Sequence, residues 1–388
     1  MTTQIADFAV IGRGLMGTSC ARYLAQGGAS VVMIGPDEPL DRARHEMPFG
    51  SHHDEGRITR RLAVDPDWSL LSTRSIERYS ELEENSGLSL FDPCGAMMVG
   101  PTGHAFTGSF LKVADEMGLP CEHFSDASLA ARFPYLSFAP QTTALWETSG
   151  GTINPRLMRL AQERLALQSG ARIVQDAVVK IEGTGMTLTS GAQIEAGHIV
   201  VATGGYAHTD RLLPAQAQMD VMARTISFAQ VTEAEAAAIA DMPSMIFMPH
   251  DLEYDLYLLP PIRYPDGKLW IKIGGQEDSP KLHTDREMRD WFRSDGDVEV
   301  GAVLLDSLRK LMPDMSFPAT TTGSCAISNT QTGQAYIQRL SEQITIVTGG
   351  NGAAAKNCDE IGRLGAMAAR GESLSDQGYQ TDFHAVLA

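Results

Sequence analysis

Three glycines placed just after an apolar run restrict this chain more than any other feature. "DFAVIGRGLMGTSCARYLAQGGASVVMIG" reads as a strand over Phe8 to Ile11, a turn at Gly12, Gly14 and Gly17, a helix closed by Gly27 and Gly28, and a second strand over Val31 to Ile34. A helix that opens in a glycine turn presents unpaired N–H groups and the positive end of its dipole, and the missing side chains let a pyrophosphate reach the backbone. The spacing is G-x-G-x-x-G in the context it requires. It therefore predicts a βαβ unit that binds a dinucleotide, with Leu15 and Met16 in the turn beside the glycines. A tight strand-to-helix turn without a ligand is the plainer alternative. The acidic residue that usually follows the second strand to meet ribose hydroxyls is replaced by Gly35, with Asp37 and Glu38 slightly later.

The remainder of the chain bears on which dinucleotide that is. A nicotinamide enzyme would continue with further βα units. Here an irregular stretch follows Pro36, and the next apolar strand, Ile199 to Ala202, is stopped only by Thr203, Gly204 and Gly205. The last piece, "QITIVTGGNGAAAKNCDEIGRLGAMAARG", is again strand, glycine turn and helix. A nucleotide domain in widely separated pieces is the habit of FAD-dependent oxidoreductases. With 388 residues the chain exceeds the usual single-core limit of about 250–300, so two interleaved domains are expected. We expect an α/β, Rossmann-like FAD-binding domain from 1–90, 145–215 and 320–388. An α+β substrate domain with a mixed, largely antiparallel sheet is expected from 91–144 and 216–319. Within it, "VTEAEAAAIADM" reads as a helix capped by Thr232, and "DREMRDWFRSDG" and "VGAVLLDSLRKLMPDM" as two more.

Charge and cysteine usage exclude other classes. A formal net charge of −17 disfavours a nucleic-acid surface, which needs clustered Lys and Arg. The five cysteines, Cys20, Cys94, Cys121, Cys325 and Cys358, are scattered without C-x-x-C spacing, so neither a disulfide framework nor a metal site is expected. No run of about 18 uncharged apolar residues is present and the first residues lack a secretory pattern. These features predict a monomer in a reducing cytoplasm, with no membrane partner.

Five segments together resemble one family: "IGRGLMG", "FGSHHDEGRITR", "LWIKIGGQ", "TTTGSCAISNT" and "TGGNG". The chain resembles the sarcosine oxidase and N-methyl-amino-acid oxidase branch of the D-amino-acid-oxidase-like flavoproteins. The likeness runs over nearly the whole chain and is weakest between residues 80 and 180. It implies an FAD bonded through sulfur to Cys325, in electropositive surroundings that favour the thiolate, supplied by Arg57, His52 and His53. Ser51 lies in the same stretch, where Gly50 and Gly56 let the backbone approach a ring. The resemblance sets Arg57 against the flavin and makes Arg60 the fork that grips a substrate carboxylate. Three residues apart, the two arginines should share a face of a turn or short helix. It also implies that Lys272 activates oxygen, that Tyr257 lines the substrate cavity, and that the turn at Gly350, Asn351 and Gly352 aims a helix N-terminus at the pyrimidine end of the flavin. The alternatives are a buried inert thiol, a solvated basic stripe, a snorkelling strand lysine and a core tyrosine.

The chain departs from the family at the carboxylate clamp. A lysine expected two residues after Gly352 is Ala354, and Lys356, two further on, should turn away on a helix. Ile327 replaces an aromatic hydroxyl and Gln276 a histidine. A lost charge-assisted contact of about 1.5–3 kcal/mol weakens a small zwitterion by one to two powers of ten. The expected reaction is oxidation of a secondary or N-methylated amine, larger or less anionic than sarcosine. Hydride passes to flavin N5, the imine hydrolyses, and oxygen becomes hydrogen peroxide. A flavin dehydrogenase with another electron acceptor, or a non-catalytic flavin-binding subunit, is the alternative.

Overall fold

The computed structural model describes residues 4–276 and 278–388. Its first sheet is parallel at the centre: strand Gln4–Ile11 lies between Val31–Ile34 and Gln193–Val201, with Arg172–Val174 beyond the former and Ile344–Thr348 beyond the latter. Strands buried on both faces need continuous apolar runs, and "VVMI" at 31–34 is buried at every position. A hairpin, Val178–Glu182 with Gly185–Leu188, extends the start of Gln193–Val201, and Tyr336–Arg339 closes the edge beside Ile344–Thr348. The first βαβ unit, Gln4–Ile11, helix Leu15–Gln26 and Val31–Ile34, falls where the glycine pattern predicts it.

Helices Leu15–Gln26 and Ala354–Ala369 cross closely over this sheet because glycine stands at the crossing. A Cβ on Gly362 would lie 2.3 Å from the Ser19 hydroxyl and 2.6 Å from the Cys20 nitrogen. The helix that starts at one end of the chain is thereby packed against the helix near its other end, which unites the separated pieces.

The second sheet has eight strands in the order Thr320–Thr330, Met219–Val231, Leu269–Gly274, Leu256–Arg263, Ser244–Phe247, Ala96–Pro101, Thr142–Glu147 and Glu122–Ser125. All neighbours are antiparallel except Ser244–Phe247 with Ala96–Pro101. Thr142–Glu147 and Thr320–Thr330 are thus hydrogen-bonded into this sheet rather than the first. Both other expected helices form, as Asp285–Arg293 and Val298–Leu311. Thr232 caps Glu233–Ala238 through a capping box with Glu235, and this helix is shorter than the apolar pattern predicts. A third, three-stranded sheet joins Arg57–Thr59, Gly151–Ile153 and Phe91–Asp92.

Candidate active site

A cavity of about 1200 Å³ runs between the two large sheets. At one end it is lined by Gly12, Gly14, Leu15 and Met16, with Glu38 and Arg159 beside them; at the other by Arg57, Arg60, Tyr257, Cys325 and the turn from Gly349 to Lys356. Ser51, His52, Gly204, Gly350, Asn351 and Gly352 also lie on its wall. His53, Gly17 and Lys272 do not. His53 packs edge-on against Phe49, and burial lowers its pKa. Gly17 sits behind the turn, where its Cβ would strike the Gly12 carbonyl oxygen at 1.9 Å.

Two helices open onto this cavity with free N-termini. Leu15–Gln26 begins after Gly14 and Ala354–Ala369 after Ala353, both without a side-chain cap or an acidic residue in the first turn. Elsewhere in the chain Asp65, Asn154, Thr284 and Asp297 cap their helices with side chains. An uncapped helix start leaves N–H donors for an anionic ligand. At Gly14 the backbone is bare on the cavity side, because a Cβ there would meet nothing nearer than His52 at 3.9 Å. Gly12 has φ +110° and a Cβ would lie 2.3 Å from the Ala202 carbonyl oxygen, so no other residue fits the turn. These residues fit a long dinucleotide with phosphates at one end and an electron-accepting ring at the other.

The ring end is cationic. Arg57 follows a turn and starts strand Arg57–Thr59, which pairs with Gly151–Ile153. This corrects the expected turn or short helix. Arg60 lies just past the strand's end, and both guanidinium groups still reach the same cavity. The Arg57 Nη2 donates to the Ser51 carbonyl and lies 3.6 Å from Cys325 Sγ, while Nη1 donates to Gly56 and to the Asp54 carboxylate. Cys325 is the one cysteine on the cavity wall. Its sulfur enters because strand Thr320–Thr330 sets it opposite Arg224, which also lines the cavity and donates to the Gln276 carbonyl at 2.6 Å. Arg57 is thus the cation beside the Cys325 sulfur. His52 instead faces Glu38, with Nε2 3.3 Å from the carboxylate.

Arg60 differs from every paired arginine nearby. Its Nε donates to the Met98 sulfur at 3.2 Å and, among the described residues, no carboxylate bonds to it, while burial lowers its pKa. Such a part-buried fork is short of an anion. Tyr257 packs flat against Gly274, whose Cβ would lie 2.4 Å from the phenol carbon. Lys272 is fully buried in strand Leu269–Gly274 and does not snorkel. Its Nζ is 2.8 Å from Asp54 Oδ2 and also donates to the Gly56 carbonyl. Lys356 reaches the cavity wall but turns its Nζ to the Ser72 hydroxyl, as its place on the helix predicts, so it does not stand in for the lysine absent at Ala354. Asp54 and Arg224 carried no short-range signal that would have singled them out, whereas Glu38 stands just after the second strand, close to where an acidic residue is looked for.

A glycine-turn nucleotide sheet, an antiparallel wall and a cationic ring pocket between them define a flavin-type oxidoreductase. The family profile "DAO: FAD dependent oxidoreductase" matches residues 7–368, and the chain belongs to that family, whose cofactor is FAD. It is similar to monomeric sarcosine oxidase of Streptomyces avermitilis, 32% identical over 168 residues. That alignment covers 43% of this chain and 42% of the relative. N-methyl-L-tryptophan oxidase of Yersinia pestis is 26% identical over 169 residues, covering 43% and 44%. In each case the matched stretch spans less than half of the relative's length. Among solved structures, NikD, described as an unusual amino acid oxidase essential for nikkomycin biosynthesis, superimposes with a TM-score of 0.79 at 18% identity, covering 100% of this chain and 99% of NikD. Glycine oxidase from Geobacillus kaustophilus gives 0.73 at 16% identity, covering 99% of each chain. These two show the fold alone.

Proposed function

We propose that this chain is an FAD-dependent oxidase of secondary or N-methylated amino acids or amines, with molecular oxygen as acceptor. The observation that carries the reading is Arg60, a part-buried guanidinium with no carboxylate partner among the described residues, on the wall of the cavity that Cys325 and Arg57 share. The relatives named above as sarcosine and N-methyltryptophan oxidases support it. When bound, FAD supplies a hydride acceptor for the carbon beside an uncharged amine nitrogen and returns the electrons to oxygen as hydrogen peroxide.

Each side chain then has one task. Arg60 binds and orients the substrate carboxylate. Tyr257 and Ile327 bound the space in which the amine lies. Gly12, Gly14, Leu15, Met16 and Gly204 hold the dinucleotide, with Gly17 and His53 supporting that wall from behind and His52 beside the first turn, and Ser51, Gly350, Asn351 and Gly352 frame its ring. Arg57 puts positive charge beside Cys325, the setting a sulfur nucleophile needs, and Cys325 is the tether. Lys272 supplies the buried cation for oxygen reduction. The first sheet and its helices form the cofactor domain and the second sheet forms most of the substrate wall. All five cysteines are free, which supports a reducing cytoplasm, and we propose a monomer there. Among the described residues no helix is long and apolar enough to cross a membrane.

Anaerobic mixing of the yellow protein with a panel of amines tests the reading. Bleaching by N-alkyl amino acids bulkier than sarcosine, followed by oxygen uptake, is expected. Sarcosine as the best substrate would overturn the size preference, and bleaching by no amine would overturn the function. Fast dye reduction with slow oxygen uptake would select a dehydrogenase. Acid precipitation tests the tether: the pellet should stay yellow, and become colourless for Cys325→Ser.

A further inference from the structure

Asp54 joins Arg57, on the cavity wall, to Lys272, which is not on it. Its Oδ2 takes Lys272 at 2.8 Å and also Arg57; its Oδ1 accepts from the Tyr264 phenol at 2.8 Å and from the Glu55 N–H at 2.7 Å. The central pair is buried, with side-chain exposures of 6% for Asp54 and 0% for Lys272, while Arg57 is part-exposed toward the cavity. Among the described residues Lys272 pairs with no other carboxylate. The charged or titratable groups that face it are Asp54, Arg57 and Cys325, with the Tyr257 ring 5.8 Å away, while Tyr264 acts on it through Asp54.

We propose that Asp54 is a positioning residue, the shared counter-ion that keeps Arg57, on the cavity wall, and Lys272, buried beside it, charged together and thereby sets the oxidative half of the reaction. The functional half of this inference rests on the reading given above. Two like charges in a dry pocket repel, and arginine does not release its proton, so without the carboxylate the relief falls on lysine. Burial, aided by Arg57 and opposed by Asp54, already brings the Lys272 ammonium down to about 8. With Asp54 present the lysine is cationic at neutral pH; with a neutral amide there it is not. The same carboxylate fixes the guanidinium whose other nitrogen faces Cys325.

The test uses full-length, flavin-loaded protein carrying 13C at the lysine ε-carbons, with the Lys272 resonance identified by its loss in Lys272→Met. Wild type should titrate near 8, Asp54→Asn at least one pH unit lower, and Asp54→Glu close to wild type. Arg57→Gln, which leaves the carboxylate with a single cation, should move the titration upward. It keeps the inference testable even where Asp54→Asn does not fold. A Lys272 titration unmoved by Asp54→Asn, or unmoved by Arg57→Gln, would overturn the shared counter-ion. Dithionite-reduced Asp54→Asn mixed with aerated buffer at pH 7.5 should reoxidise at least tenfold more slowly than wild type, with recovery in Asp54→Glu. An unchanged rate would overturn the functional half. Dithionite replaces the amine in this measurement, so a protein that no amine reduces would sink the substrate reading and leave the Asp54 result standing.

Discussion

Arg60 and Asp210 are both charged groups placed in the cavity at a cost, and they lead to different measurements. Replacing Arg60 with glutamine removes a cavity fork that has no carboxylate partner among the described residues. For a substrate with a carboxylate, KM should rise tenfold to a hundredfold, as a charge-assisted contact of about 1.5–3 kcal/mol implies. For the corresponding decarboxylated amine it should stay unchanged. Initial rates with the two substrates check this. Asp210 accepts from the Thr203 hydroxyl and the Leu212 N–H, yet burial raises its pKa from 3.8 to about 6. Between those values the folded chain binds more protons than the unfolded one, so stability falls as pH rises through that window and the whole cost is present at pH 7. Asp210→Asn should therefore raise Tm at pH 7 by about 1–4 °C, the equivalent of about 1–3 kcal/mol, and leave Tm unchanged at pH 4. A thermal scan at both values decides it.

Elements show what the chain makes legible and what it hides. The glycine turn at 12–17 and the capping pairs Thr232 with Glu235 and Thr284 with Glu287 are local, and reading them requires no partner. Arg57 to Thr59 was misread as a turn or short helix because its strand exists only by pairing with Gly151–Ile153. In the same way Arg224 reaches the cavity through its pairing opposite Cys325, and Lys272 meets a carboxylate from a remote loop. Local pattern gives elements; it does not say which side chains meet. The helix crossing at Gly362 offers a test at this scale. Alanine gains about 1 kcal/mol of helix propensity over glycine, while forcing a methyl into a filled crossing costs about 1–3 kcal/mol. Because the obstacle includes the Cys20 backbone nitrogen at 2.6 Å, the clash should win. Gly362→Ala should lower the urea midpoint.

In the whole molecule the cavity takes its wall from both large sheets, so its ligand belongs to neither alone. Flavin-free Cys325→Ser protein given FAD at a hundred times its Kd should gain about 2.7 kcal/mol. The gain should appear as slower amide exchange in Val31–Ile34 and in Thr320–Thr330 together, and protection of one sheet only would contradict a shared wall. Cys325 lies on a strand of the second sheet while the glycine turns hang from the first. A thioether formed at that sulfur would rivet two layers otherwise joined there by a hydrogen bond from the Asn351 N–H to the Ser328 carbonyl. Once riveted, they could drift apart only by tearing the cofactor from its glycine seat.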